Sequence, residues 1–136
     1  MLYGSECWAL KKTHIQRLMV AEMRMIRWIC GYTRLDKIRN EVIRDIVKVA
    51  PIEDKMRESR LRWFDYVKRR SVDAPVRRCE TINILDGNRG RGRPKKSLDE
   101  VIRGDLKVVG LTEDMAQDRR LWRDRIKVVD QGVLST

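Results

Sequence analysis

Nine residues divide this chain. Asn88-Arg89-Gly90-Arg91-Gly92-Arg93-Pro94-Lys95-Lys96 carries five cations, two glycines and one proline, and no apolar side chain. With nothing to bury and with like charges close together, the tract cannot fold by itself. Folding must therefore occur on either side of it, and the tract reads as a basic strap on a helical scaffold. Two ligand readings stay open. Gly92-Arg93-Pro94 among basic residues has the shape of an AT-hook, whose arginines enter the narrow minor groove of A·T-rich DNA. The other reading is an extended basic loop that follows phosphates without A·T preference.

On both sides of the strap the hydrophobic period is helical. Helix one is expected over 13–30, with Thr13 and Gln16 as a capping box and Gly31 as its stop. Ile15, Leu18, Met19, Ile26 and Ile29 form its stripe, and Glu22 within it is expected to pair with an arginine. Helix two is expected over 36–48, opened by Asp36, with Leu35, Ile38, Val42, Ile46 and Val49 as its apolar side. Pro51 ends it, because the residue before proline avoids the helical region, and the same proline can open helix three over 52–70. Ile52, Met56, Trp63, Tyr66 and Val67 make the third stripe. Residues 71–96 break the pattern and read as an irregular linker, with a weak apolar patch at Ile82, Ile84 and Leu85. Ser97 and Glu100 form a capping box for helix four over 97–109, which Gly110 stops. Thr112 caps helix five over 112–130.

The fold expectation is thus all-α, with about five helices and a basic irregular loop. The organisation is a lead segment at 1–12, a three-helix module at 13–70, the linker at 71–96, a helical hairpin at 97–130 and a frayed tail at 131–136. Trp8, Trp28, Trp63 and Trp122 fall one per segment and are expected to anchor the core.

The charge narrows the function. Of 136 residues, 31 are Lys or Arg and 20 are Asp or Glu, a net charge of +11. Such an excess favours a polyanionic partner, because each cation placed on a phosphate releases a condensed counterion. DNA or RNA is the expected ligand, held by Arg89, Arg91, Arg93, Lys95 and Lys96. Lys68, Arg69, Arg70, Arg77 and Arg78 could extend the path, although Lys68, Arg69 and Arg70 could instead serve only to cap helix three. The three cysteines are widely spaced and imply no disulfide framework. No apolar run approaches the roughly 20 residues of a membrane span, and an acid at Glu6 precedes any signal-like stretch. A nuclear or cytoplasmic location is expected, not secretion and not a membrane.

Catalytic constellations are missing from the sequence. The adjacent acids Glu53-Asp54, Asp99-Glu100 and Glu113-Asp114 all fall in first turns of expected helices, where the helix dipole accounts for them. His14 is the only histidine, and Cys7, Cys30 and Cys79 share no ligand spacing. No phosphate-loop or dinucleotide fingerprint occurs. Neither a metal nor a cofactor is expected.

Several segments, in order, resemble one family. Leu2-Tyr3-Gly4-Ser5-Glu6-Cys7-Trp8 looks like the segment near the end of the reverse transcriptase region in LINE-type (non-LTR) retrotransposons. Ala21-Glu22-Met23-Arg24-Met25-Ile26-Arg27-Trp28, Arg39-Asn40-Glu41-Val42-Ile43-Arg44 and Arg60-Leu61-Arg62-Trp63-Phe64 follow in that family's order. Gly90 to Lys96 and then Asp118-Arg119 with Trp122-Arg123 complete a pattern similar to the C-terminal region of plant RTE-like elements. The resemblance spans about residues 2–130. It implies a piece of a polyprotein that lies after the polymerase palm, whose carboxylate motif is absent here. It also implies that 13–70 holds template or target nucleic acid, and that 1–12 is the end of the preceding reverse transcriptase region. The family's Trp-x-Gly-His-Val reads Trp63-Phe64-Asp65-Tyr66-Val67 in this chain, so its Gly-His is lost. Leu98 likewise stands where an aromatic is common.

The sequence therefore leads to a non-catalytic, nucleic-acid-binding C-terminal fragment of a retrotransposon reverse transcriptase polyprotein. The alternative is a helical protein-interaction segment, or a nonfunctional remnant, with the missing polymerase part as the possible partner.

Overall fold

The computed structural model describes residues 4–80, 91–93 and 96–129. Every regular element among them is helical. α1 is Lys12–Ile29, α2 Asn40–Val47, α3 Ile52–Lys68, α4 Pro75–Glu80, α5 Leu98–Val109 and α6 Arg119–Ile126, with short 3₁₀ turns at Ser5–Cys7, Arg34–Asp36 and Glu113–Gln117.

Local chemistry explains most boundaries. Gly31 (φ 73°) and Gly110 (φ 74°) take the left-handed conformation that ends α1 and α5. Ser97 accepts from the Glu100 amide at 3.3 Å while Glu100 accepts from the Ser97 amide at 3.4 Å, the reciprocal box expected from sequence. Pro51 sits at the N-cap of α3, with Glu53 and Asp54 in the first turn.

Three boundaries differ from expectation. α1 starts at Lys12, and its N-cap Lys11 makes no side-chain cap, so Thr13 and Gln16 do not form the box. The second expected helix is split. Thr33 and Asp36 close their own capping box around a single turn, and Lys37 (φ 50°) leaves the right-handed region, so α2 begins only at Asn40. The fifth is split as well: after the turn at Glu113–Gln117, the Asp118 carboxylate accepts from the Arg120 and Leu121 amides at 3.0 and 3.1 Å and starts α6 afresh. α4 is a helix in a segment read as irregular. Pro75 opens it, and the Ala74 carbonyl accepts from the Arg77 and Arg78 amides. The apolar patch at Ile82, Ile84 and Leu85 lies outside the described residues.

The break at Lys37 also resets the helical phase. Leu35, Val42, Ile46 and Val49, expected to face inward, are exposed. Ile43 is the fully buried residue of α2, packed on Met23 and Ile26 of α1 with Val47 one turn on. In an eight-residue helix the inward face is set by where the helix starts.

α3 is the spine. Its first turns (Ile52, Met56) pack with Leu10 and with Ile15, Leu18 and Met19 of α1. Its later turns (Leu61, Phe64) meet Ile102 and Leu106 of α5, with Trp122 and Ile126 of α6. Trp122 is fully buried, stacks on Phe64 at 5.9 Å, and donates its indole N–H to the Leu61 carbonyl at 3.0 Å. It is the tryptophan that anchors the core. Trp8 and Trp28 are exposed and Trp63 is half-buried.

Two polar links tie the helices together. Glu22 accepts from Arg44 of α2 at 2.7 Å and from the Ile52 amide of α3 at 3.1 Å, so the acid in the α1 stripe has its arginine. Arg60 of α3 is buried and gives two hydrogen bonds to Asp105 of α5, at 2.7 and 3.1 Å.

Candidate nucleic-acid interface

The sequence points to ten cations, and the structure sorts them by what surrounds them. All five at and after the end of helix three make contacts within the protein. Lys68 lies 3.6 Å from Glu80 and over the Phe64 ring. Arg77 reaches the same Glu80 at 2.8 Å, so one carboxylate draws the end of α3 and α4 together. Arg69 donates to Asp65 at 2.6 Å, one helical turn back. Arg70 donates to the Tyr66 hydroxyl at 2.6 Å and covers the Tyr66 ring. Arg78 is exposed on α4. A salt-bridged cation still attracts a phosphate, but part of its field is cancelled and its hydrogen-bond donors are occupied. Lys68 and Arg77 thus act first as ties between α3 and α4 through Glu80, and Arg69 as the partner of Asp65 at the end of α3.

The strap is different. Arg91, Arg93 and Lys96 are exposed, and none has an ion-pair or hydrogen-bond partner among the described residues. Gly92 between the arginines has φ 144°, a backbone that favours glycine. Lys96 leads directly into the Ser97 cap of α5, so the strap is fastened at that end to a helix whose other face packs on α3. Arg89 and Lys95 lie outside the described residues.

A second set of cations was not singled out from sequence. α6 buries Trp122 and Ile126, one turn apart, and this turns Arg119, Arg120, Arg123 and Arg125 outward. None of the four makes a side-chain salt bridge among the described residues. Arg119 and Arg123 lie close enough to Asp65 of α3 to favour its charged form. Asp65 itself is buried, and burial pushes its carboxyl above the ordinary carboxylate range. Arg69, Arg119 and Arg123 pull in the opposite direction. Its Oδ2 holds Arg69 while its Oδ1 is buried without a partner. One buried acid at the end of α3 is thus surrounded by three arginines, Arg69, Arg119 and Arg123. The available signal in the sequence was the Arg-Arg-Leu-Trp-Arg-Asp-Arg-Ile run, whose two inward positions, Trp122 and Ile126, imply four outward cations once the helix is recognised.

Among the described residues no group of three or more His, Cys, Asp or Glu is placed to hold a metal ion. The acids Glu53, Asp54, Asp99, Glu100, Glu113 and Asp114 do lie in first turns. The described helices include none long and apolar enough to cross a membrane.

No protein-family model, curated protein or solved structure matches this chain. The site must be interpreted from its own chemistry.

Proposed function

We propose that the chain is a non-catalytic nucleic-acid-binding module, a C-terminal piece of a LINE-type, RTE-like retrotransposon polyprotein. The observation that carries the binding reading is the set of unmatched cations. Arg60, Arg69 and Arg77 of the helical scaffold are matched with carboxylates, whereas Arg91, Arg93 and Lys96 of the strap stand exposed and unmatched among the described residues. A net charge of +11 on an all-helical scaffold supports the same reading. The retrotransposon origin is supported by the ordered sequence segments from Leu2 to Arg123. The chain supplies contacts to phosphate, and polymerisation belongs to the palm of such a polyprotein.

Fluorescence anisotropy with an A·T-rich duplex, a G·C-rich duplex and an RNA stem-loop, each at two salt concentrations, tests the proposal. The triple variant Arg91→Ala/Arg93→Ala/Lys96→Ala should lower the salt slope on duplex DNA by about 2–3, near 0.9 for each phosphate no longer neutralised. Unchanged affinity and slope would make the strap a passive linker. The ranking of the two duplexes separates an AT-hook from general phosphate binding. Primer extension on an RNA template should stay at background, and extension above it would overturn the non-catalytic reading.

One observation favours a second reading. Met25, Trp28 and Ile29 of α1, and Val42 and Ile46 of α2, are exposed apolar residues on neighbouring helices. They would suit a helical protein-interaction segment whose partner is the polymerase part. Sedimentation of the chain mixed with such a part, compared with the chain alone, decides between the two readings.

A further inference from the structure

α1 and the α2 region enclose an open cleft of about 500 Å³. Arg24 and Arg27 of α1, Arg34 and Lys37 of the connecting turn, and Arg44 of α2 line it, and Glu41 is the one carboxylate on the wall. Glu22 behind Arg44 and Asp36 near Arg27 also count against the positive charge. Cations still outnumber these carboxylates by five to three. The floor is apolar, with Met19, Met23 and Ile38.

Two of the arginines are held in place. Arg27 donates to the Ile38 carbonyl at 2.6 Å and to Asn40 Oδ1 at 2.8 Å, which fixes the turn carrying Arg34 and Lys37. Arg44 donates through one terminal nitrogen to Glu22, and its other terminal nitrogen is buried without a partner. Such a donor costs free energy unless a ligand or water satisfies it. Arg24, Arg34 and Lys37 are exposed and form no ion pair among the described residues. Trp28 stands one helical turn beyond Arg24 and is 83% exposed.

A cationic cleft with an apolar floor and an aromatic ring beside it is the combination that grips an unpaired strand. The cations follow the backbone, and bases stack on the ring or rest on the apolar surface. A rigid duplex presents its phosphates on a broad cylinder and keeps its bases stacked inside, so it cannot use the floor or the tryptophan. We infer that the α1–α2 cleft binds the phosphates of a single-stranded polynucleotide, with Trp28 as its stacking platform. This inference rests on the nucleic-acid reading above and adds a binding site separate from the strap.

The test uses the full chain and labelled 12-nucleotide oligo-dT and oligo-U. The cleft variant is Arg24→Gln/Arg34→Gln/Lys37→Asn; asparagine is chosen because it tolerates the left-handed backbone of position 37. Trp28→Leu is the second variant and the strap triple variant is the reference. Unaltered helical circular dichroism and melting temperature in each confirm folding. The cleft variant should bind single strands at least about tenfold more weakly, and its salt slope should fall by about 2, near 0.7 per phosphate. Trp28→Leu should weaken oligonucleotide binding by about 1–3 kcal/mol per stacked base, or roughly 5- to 150-fold, and should abolish most of the fluorescence quenching seen on binding. A cleft variant that binds both oligonucleotides like the unaltered chain overturns the cleft, whatever the strap variant does. Weaker binding by the cleft variant, with binding unchanged in the strap variant, upholds the cleft and overturns the strap as the main site. Comparison of oligo-dT with oligo-U shows which sugar the cleft accepts.

Discussion

Asp105→Ala tests the central joint of the fold. Arg60 is only 3% exposed, and its Nε and one terminal nitrogen donate to the two Asp105 carboxylate oxygens at 2.7 and 3.1 Å. Its remaining terminal nitrogen already has no partner in the interior. Removal of the carboxylate leaves a whole guanidinium buried and unpaired between α3 and α5, and Arg57, 3.7 Å from the same acid, is deprived of a counter-charge. Breaking a buried pair from one side costs about 3–5 kcal/mol, a large part of the 5–15 kcal/mol that holds a typical domain together. For a chain of this size that is a drop in Tm of roughly 10–20 °C. The double variant Arg60→Met/Asp105→Leu removes both charges and keeps the volume apolar, so it should recover most of the stability. Urea unfolding followed by circular dichroism measures both. A single variant destabilised by less than about 1 kcal/mol, or a double variant no more stable than the single, would refute the view that this pair is desolvated and mutually dependent.

Two further predictions concern individual side chains. Trp122→Ala should cost about 3–5 kcal/mol, since it empties a fully buried site against Phe64 and leaves the Leu61 carbonyl without its indole donor. Trp122→Phe should cost less, and equal destabilisation of the two in urea unfolding would show that the ring itself contributes little. The Asp36 carboxyl lies below its ordinary value of 3.8, first because the Thr33 amide and then because the Thr33 hydroxyl donates to it. A depressed carboxyl contributes stability that is complete above its ordinary value and disappears as pH falls through its lower folded value. Asp36→Ala should therefore lower Tm at neutral pH and flatten its decline on acidification below about pH 4. A variant whose Tm tracks the unaltered chain in parallel at every pH would remove Asp36 from the acid response.

Much of the helical framework is visible in the sequence because its signals are local. Ser97 with Glu100, Gly31, Gly110 and Pro51 each act on backbone groups within a few residues. The stripe Val101, Ile102 and Leu106 of α5 needs only a helix of known start to be read as buried, and it is buried. Net charge and the strap composition are likewise properties of the chain itself. α2 shows where this ends. One left-handed residue, Lys37, resets the phase and puts Ile43 inside in place of Val42 and Ile46, which no periodicity counted across the break can reveal. The cations show it more fully. Arg60 resembles any other arginine in a basic stretch until Asp105, 45 residues away, takes it into the core. Lys68 and Arg77 look like phosphate ligands until Glu80 joins them, and four arginines of α6 become an outward ridge only because Trp122 and Ile126 are drawn inward. The cleft between α1 and α2 exists in no single segment. The sequence by itself determined where most helices begin and end, how much positive charge the chain carries, and that residues 88–96 cannot form a core. Only the tertiary structure decided which cations are matched and which face solvent, because an ion's partner is set by distance in space, and the helices bring together residues that lie far apart in the chain.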